Sequence, residues 1–166
     1  MQRFIVGDGA TLTIEVMTSP SGSEDDLLLE RQLCFALAVA ARSVINAYTP
    51  LLDKLNLTHP QYLVMLALWE KSPRSVKDLS ETLLLGSATL SPLLKRLEGH
   101  GYLTRERVEG NERSLAVALT PEGTALRDKA LTVPGAIMDM FGLTRAEAQD
   151  LQERMTRLAR SARNQH

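Results

Sequence analysis

The chain has one thiol, that of Cys34, among its 166 residues. A thiolate can attack a peroxide to give a sulfenic acid, which then condenses with another thiol. Because the sequence holds no second cysteine, an intrachain disulfide and a zinc site of the usual cysteine-rich kinds are both excluded. On an apolar helix, a lone cysteine is more often a small core residue than a sensor. The residue type alone therefore allows two interpretations of Cys34, a redox sensor or a small core residue.

A second group with potential chemistry is a run of hydroxyl and basic side chains between residues 87 and 98. The leucines at 90, 93, 94 and 97 predict a core-facing stripe of one helix. The polar residues lie mainly off this stripe: Ser87, Thr89, Ser91, Lys95 and Arg96. Small hydroxyls at a helix start can approach base edges, and cations can hold phosphates or reach a guanine. The alternative interpretation is that the hydroxyl residues cap the helix and the basic residues form a solvated face, without any contact with DNA.

The segments around this run predict a helix-turn-helix. A capping pattern at Ser75 opens a short helix through Leu84, Gly86 supplies a turn, and Ser87 caps the second helix, which Gly99 closes. Two helices joined by a tight glycine-containing turn are typical of DNA-binding proteins.

A β-hairpin is predicted directly after these helices, as in a winged helix domain. Residues 103–108 and 114–119 alternate apolar and polar side chains around the polar tip 109–112. Arg113 lies just past the tip, where an arginine can enter a minor groove. Arg105 and Arg107 are candidates for contacts with the DNA backbone.

Apolar helices flank this domain on both sides. One is predicted from Leu27 with a break at Pro50, and a central buried helix opens at Thr58 with a capping box completed by Gln61. After the hairpin, a helix runs from Pro121 to about Leu131, and the last one opens at Thr144. The apolar face of the last helix carries Ala148, Leu151, Met155, Leu158 and Ala162, and a second subunit is expected to cover it.

These elements give a mainly α fold with a small β-hairpin wing, a winged helix-turn-helix with terminal dimerisation helices. Residues 1–26 are predicted as a disordered leader, although Leu12, Ile14 and Val16 alternate weakly as in a strand. Residues 27–57 form the N-terminal dimerisation and sensor helix, 58–120 the winged helix-turn-helix, and 121–166 the C-terminal dimerisation helices.

The composition excludes several classes of protein. A net charge of −1 argues against a polybasic nucleic-acid binder, and 44% apolar but only 4% aromatic residues predict an aliphatic core. The sequence shows no run of about 18 apolar residues, so no transmembrane helix is expected. With no apolar segment of a secretory signal at its start, the chain is expected in the cytoplasm without a membrane partner.

Several segments together resemble the MarR family of bacterial regulators, and specifically its organic hydroperoxide-sensing branch, the OhrR regulators. The resemblance covers about residues 29–135. The segments that carry it are 30–37 (ERQLCFAL), 48–55 (YTPLLDKL), 60–65 (PQYLVM), 68–70 (LWE), 89–98 (TLSPLLKRLE) and 119–123 (LTPEG).

The resemblance implies a homodimer that binds a pseudo-palindromic double-stranded DNA operator and represses a hydroperoxide-detoxifying gene in an oxidative stress response. Cys34 matches the redox sensor, residues 87–98 match the recognition helix, and Asn111 and Arg113 match the wing contacts. Cys34 also lies in the opening turns of its predicted helix, where the helix dipole favours a thiolate. With an organic hydroperoxide as oxidant, a low-molecular-weight thiol is the expected resolving partner. No cofactor and no metal are expected.

The sequence departs from the family pattern at four positions. Tyr48 matches one of the tyrosines that support the sensor, but His59 and Ala38 stand where tyrosine is common. Gly86 and Asn111 stand where acidic residues are common, which concerns the geometry of DNA binding. His59 is therefore predicted to support Cys34 through its imidazole.

Two other functions are compatible with parts of the sequence. A small aromatic ligand bound near His59, Tyr62 and Trp69 would release a repressor in which Cys34 is structural. A thiol peroxidase would use Cys34 catalytically, but the chain has only three histidines and no Cys-x-x-Cys motif. We therefore expect no enzyme.

Overall fold

The computed structural model describes residues 27–108 and 111–163, with the side chains of 107, 108 and 111–114 left out. The predicted leader and the hairpin-tip residues 109 and 110 lie outside the described residues. After a 3₁₀ turn (Leu29–Arg31), the elements follow in this order: α1 (Leu33–Asp53), α2 (His59–Glu70), β1 (Arg74–Ser75), α3 (Val76–Leu83), α4 (Ser87–Gly99), β2 (Leu103–Val108), β3 (Asn111–Leu119), α5 (Pro121–Ala130), α6 (Val133–Phe141) and α7 (Arg145–Arg163). The predicted mainly α winged helix-turn-helix is confirmed.

The chain divides into two compact units, with the boundary after Ala41. In the first, the structure describes the 3₁₀ turn and the first part of α1. The second unit holds the other helices and the sheet. Its core is aliphatic, as predicted, and it is built from α2, α3, α4 and the strands together with the end of α1 and the helices α5 and α6. The fully buried side chains at its centre are Leu52, Met65, Leu68, Leu79, Leu90, Leu94, Leu97, Leu103, Val64 and Val117.

Polar caps start the helices where the sequence predicts them. Gln61 Oε1 accepts hydrogen bonds from the backbone N–H of Thr58 (2.8 Å) and from its hydroxyl (3.0 Å). Glu147 Oε2 accepts the same two bonds from Thr144, at 2.8 and 2.7 Å. Thr120 Oγ1 accepts a bond from the N–H of Gly123 at 3.0 Å. Each cap satisfies N–H groups that the first helical turn leaves free.

Several predicted features of the helices are wrong, beginning with the first helix, which starts at Leu33 and not at Leu27. Pro50 lies inside α1 and does not break it. Residues 133–135 begin a further helix, α6, because Pro134 fits a first turn, which needs no N–H from it. In the helix-turn-helix, Gly86 is the N-cap of α4 with an ordinary φ of −63°, so Ser87 is the first helical residue. The left-handed residue of the turn is Leu84, with φ of 55°.

The hairpin is the larger part of a three-stranded antiparallel sheet in the order β1-β3-β2. Leu103 pairs with Leu119, and the register changes between Arg107 and Val108. The two-residue strand β1, which the sequence did not predict, pairs with the far side of β3, with Ser75 opposite Ala116.

Ser75 also caps α3, because its Oγ accepts a hydrogen bond from the N–H of Asp78 at 3.0 Å. Its neighbour Arg74 is held by Glu70 at 3.1 Å and by the hydroxyl of Thr82 at 2.9 Å. The β1 segment is therefore anchored to α2, to α3 and to β3.

Candidate DNA interface and redox site

The helix-turn-helix presents a polar arc on α4 because its leucines are consumed by the core. Leu90, Leu94 and Leu97 are buried, while Leu93 is half-buried against them. Ser87, Ser91 and Lys95 are exposed and follow at four-residue intervals, so they share one side of the arc. The other edge carries Thr89 and Arg96, both exposed and seven residues apart. The structure thus presents all five predicted residues to solvent.

An ion pair joins α4 to the wing. Arg105 on β2 donates two hydrogen bonds to Glu98 Oε2, one of them from Nε at 3.0 Å. Hydrogen bonding from Arg105 lowers the pKa of the Glu98 carboxyl, and the same bond raises the pKa of Arg105. This pairing orients the wing on the recognition helix, and a contact of Arg105 with the DNA backbone stays a prediction.

The two wing residues Asn111 and Arg113 lie on β3, where Asn111 pairs with Val108. Their side chains are outside the description, as is that of Arg107. Their contacts with DNA remain predictions.

Cys34 is the second residue of α1 and is exposed. Its predicted place in the opening turn of a helix is confirmed. Ala38, one turn later, is exposed as well. The reading of Cys34 as a small core residue therefore has no support in the chain as described.

Tyr48, His59 and Tyr62 form an aromatic cluster where α1 meets α2. The rings of Tyr48 and His59 lie edge to face with centroids 5.4 Å apart, and the Tyr48 and Tyr62 rings are 6.0 Å apart. Burial raises the pKa of Tyr48 and lowers the pKa of His59, so the uncharged form of each side chain is favoured. The two predicted sensor-support residues are brought together by the fold.

A cavity of about 250 Å³ opens between α2, α5 and α6. Tyr62, Leu66 and Trp69 line one wall, with Arg127 and Leu131 opposite. The Trp69 indole N–H is not free for a ligand, because it donates to the Gly123 carbonyl at 2.8 Å. Of the three residues predicted around an aromatic ligand, Tyr62 and Trp69 line this cavity and His59 does not. No pattern in the sequence points to Arg127, which lies 58 residues further along the chain than Trp69 and lines the cavity from α5.

Large apolar side chains stay exposed on two helices. On α7, Leu151, Met155 and Leu158 are 36–49% exposed, and α1 exposes Leu33, Val39, Val44 and Ile45. The sequence predicted no helix that could cross a membrane, but α1 is long and apolar enough to do so by length and composition alone. Only 6% of its most apolar window is buried within the chain. Exposed apolar surfaces of this kind are typical of sites that contact another protein or a membrane.

Comparison with known proteins shows which family has this sequence and architecture. Residues 46–130 match the SarA/Rot family of transcriptional regulators. The organic hydroperoxide resistance transcriptional regulator of Bacillus subtilis is 46% identical over 129 residues, which cover 78% of this chain and 86% of that protein. The regulator TtmR of Methylorubrum extorquens is 43% identical over 133 residues, or 80% of this chain and 68% of that protein.

Solved structures agree with the sequence comparison. Reduced AbfR bound to DNA superposes with a TM-score of 0.72 and 31% identity, covering 85% of this chain and 96% of AbfR. Overoxidised AbfR bound to DNA gives a TM-score of 0.66 and 32% identity, covering 81% and 94%. AbfR is a protein of Staphylococcus epidermidis.

Proposed function

The chain belongs to the MarR family of winged helix transcriptional regulators, and we propose that it is a homodimeric repressor released from its operator when an organic hydroperoxide oxidises Cys34. One observation carries the proposal. The only thiol is exposed in the first turn of α1, in a chain 46% identical to an organic hydroperoxide resistance regulator. Since the related proteins are transcriptional regulators, the thiol peroxidase alternative is set aside.

The DNA-binding surface is the exposed arc of α4 together with the wing. Ser87, Ser91 and Lys95 line one side of the arc and are assigned to the major groove, and Thr89 on the other edge is assigned to DNA as well. Asn111 and Arg113 are assigned to the wing contact in the minor groove. Because phosphate contacts release counterions, operator affinity is expected to fall steeply with salt.

The exposed faces of α1 and α7 are assigned to the homodimer. Covering Leu151, Met155 and Leu158 with a second copy removes apolar area from water, which stabilises association by roughly 25 cal/mol per Å² before the entropy of association is subtracted. A regulator that works on DNA in the cytoplasm has no need of α1 as a membrane span, and α1 includes the charged Arg42.

Oxidation of Cys34 proceeds in two balanced steps. The thiolate attacks the terminal oxygen of the hydroperoxide, an S–O bond forms, the O–O bond breaks, and the alkoxide takes a proton from water and leaves as the alcohol. The resulting sulfenic acid condenses with a low-molecular-weight thiol, which forms an S–S bond and releases water. Tyr48 and His59 are assigned to support this thiol by hydrogen bonding. The added bulk then displaces the two recognition helices from adjacent turns of the operator.

The experiment is an operator gel shift with wild type and Cys34→Ser, each treated with cumene hydroperoxide in the presence of a small thiol. Wild type is expected to release the DNA, and mass spectrometry should find the mixed disulfide on Cys34. The variant should bind with wild-type affinity and stay bound. Release of Cys34→Ser at the wild-type dose would overturn the sensor assignment.

The cavity lined by Tyr62, Trp69 and Arg127 supports a second candidate, release by a small aromatic acid. Its apolar walls suit a ring, and the Arg127 guanidinium suits a carboxylate. Salicylate is a direct probe. Release of both wild type and Cys34→Ser by salicylate, with loss of the effect in Arg127→Gln, would favour this mode over thiol oxidation.

A further inference from the structure

A second, polar pocket of about 270 Å³ shares no lining residue with the aromatic cavity. It is formed by the end of α1, the start of α2 and the last turns of α4. Its polar lining residues are Asp53, Asn56, Thr58, Gln61, Arg96 and His100. Neither the proposed oxidation nor the aromatic cavity uses these residues, apart from Arg96, which the sequence assigned to DNA.

Gln61 directs a donor into this pocket. Its side chain is almost wholly buried, with 3% exposure, and its Oε1 is occupied by the two bonds from Thr58. Its Nε2 donates to no residue in the described part of the chain. In that same part, no side-chain nitrogen or oxygen sealed from solvent lacks a partner. The Gln61 amide nitrogen therefore keeps its contact with open space, and the pocket that Gln61 lines supplies that space.

A guanidinium and the start of a helix lie beside this donor. The Arg96 guanidinium has no carboxylate within ion-pair distance among the described residues, although Asp53 lines the same pocket. His100 lies one turn further along, its ring edge to face with Tyr102 at 5.8 Å. The 12-residue helix α2 also begins here, so the positive end of its dipole faces the pocket.

We propose that this pocket binds the oxyanion group of a small metabolite, a carboxylate or a phosphate. Arg96 supplies the charge, and the Gln61 amide and the His100 ring supply further hydrogen-bond donors. Asp53 opposes a high negative charge, so a singly charged group suits the pocket best. Arg96 lies on the edge of α4 away from Ser87, Ser91 and Lys95, so the site is separated from these three DNA contacts, while Thr89 shares its edge.

The test is an NMR titration of the full-length, reduced, DNA-free protein, following the side-chain NH₂ resonances of Gln61. Sodium acetate and sodium phosphate are added separately at constant ionic strength. The proposal expects saturable shifts with at least one of them, and the stronger binder identifies the group as carboxylate or phosphate. Arg96→Gln should weaken binding about tenfold, the value of one charge-assisted hydrogen bond.

Two further variants make the titration decisive. Lys95→Gln removes the same charge from the neighbouring position of α4, outside the pocket lining, and should leave the affinity within about twofold. Asp53→Asn should tighten binding several-fold, a gain that a misfolded variant does not produce. Absence of saturation with both anions, or equal weakening by Arg96→Gln and Lys95→Gln, would overturn the proposal.

Discussion

Replacing Gly123 with alanine should destabilise the protein, although helix propensity alone predicts the reverse. Gly123 is the third residue of α5, where alanine ordinarily gains about 1 kcal/mol over glycine. A Cβ at this position would lie 1.9 Å from the carbonyl oxygen of Tyr102 and 2.8 Å from its carbonyl carbon. Carbon and oxygen normally approach no closer than about 3.3 Å, so the backbone must give by about 1.4 Å.

The cost of that displacement comes from the groups around it. The Tyr102 carbonyl accepts a hydrogen bond from the N–H of Thr120 at 3.2 Å, and the Gly123 carbonyl accepts one from the Trp69 indole. Overpacking costs about 1–3 kcal/mol, and a weakened hydrogen bond about 1 kcal/mol more. After subtraction of the propensity gain, the free energy of unfolding should fall by about 1–3 kcal/mol.

Gly135→Ala is the matched control. Gly135 is also the third residue of its helix, α6, but nothing lies within 4 Å of a Cβ built on it. Here the propensity gain stands alone, so stability should rise by about 0.5–1 kcal/mol.

Thermal unfolding at one fixed protein concentration measures both variants, since dimerisation makes the Tm depend on concentration. For a chain of this size, about 2–4 °C per kcal/mol predicts a Tm lowered by about 2–12 °C for Gly123→Ala and raised by about 1–4 °C for Gly135→Ala. Equal shifts, or a more stable Gly123→Ala, would refute the close approach between α5 and the start of the wing.

Three further predictions concern the binding surfaces and the pH response. Glu98→Gln removes the partner of Arg105 and should weaken operator binding several-fold in a gel shift, with less than about 1 kcal/mol lost from stability because the pair is partly exposed. The slope of affinity against salt should stay unchanged, whereas a slope increased by about one would show that the released Arg105 takes up a phosphate. Because burial lowers the pKa of His59, the unfolded chain takes up a proton first as the pH falls below 6.5. The free energy of unfolding in urea should therefore decrease from about pH 7.5 to 5.5, and less so in His59→Gln; identical profiles would contradict the shift. Leu151→Glu and Leu158→Glu should each shift the protein toward monomer in sedimentation velocity, and two intact dimers would exclude α7 from the interface.

The sequence was most informative where a local pattern has a local cause. The capping contacts of Thr58, Thr120 and Thr144 span three residues each, so the start of each helix follows from neighbouring residue types. The wing was predicted for the same reason, from alternation on two adjacent segments.

The errors arise where distant packing decides the structure. Proline inside a helix costs about 3 kcal/mol, yet α1 continues through Pro50 because Leu52, two residues later, is buried in the core. The strand β1 is too short to show alternation and exists only because β3 lies beside it. The polar pocket likewise joins residues from α1, α2 and α4, and the pairing of Arg105 with Glu98 joins a strand to a helix. No spacing in the sequence marks either of them.

Ser75 belongs to two elements at once, as a strand residue opposite Ala116 and as the N-cap of α3. A wing held at only one edge would be free to rotate about that edge. This wing is held at both edges, by β1 on one side and by the Arg105–Glu98 pair on the other. The wing, α3 and α4 then move as one rigid unit, so a tilt that lifts α4 from the major groove also withdraws the wing from the DNA. Operator release is therefore expected in one step, without an intermediate that keeps hold of the DNA by the wing alone.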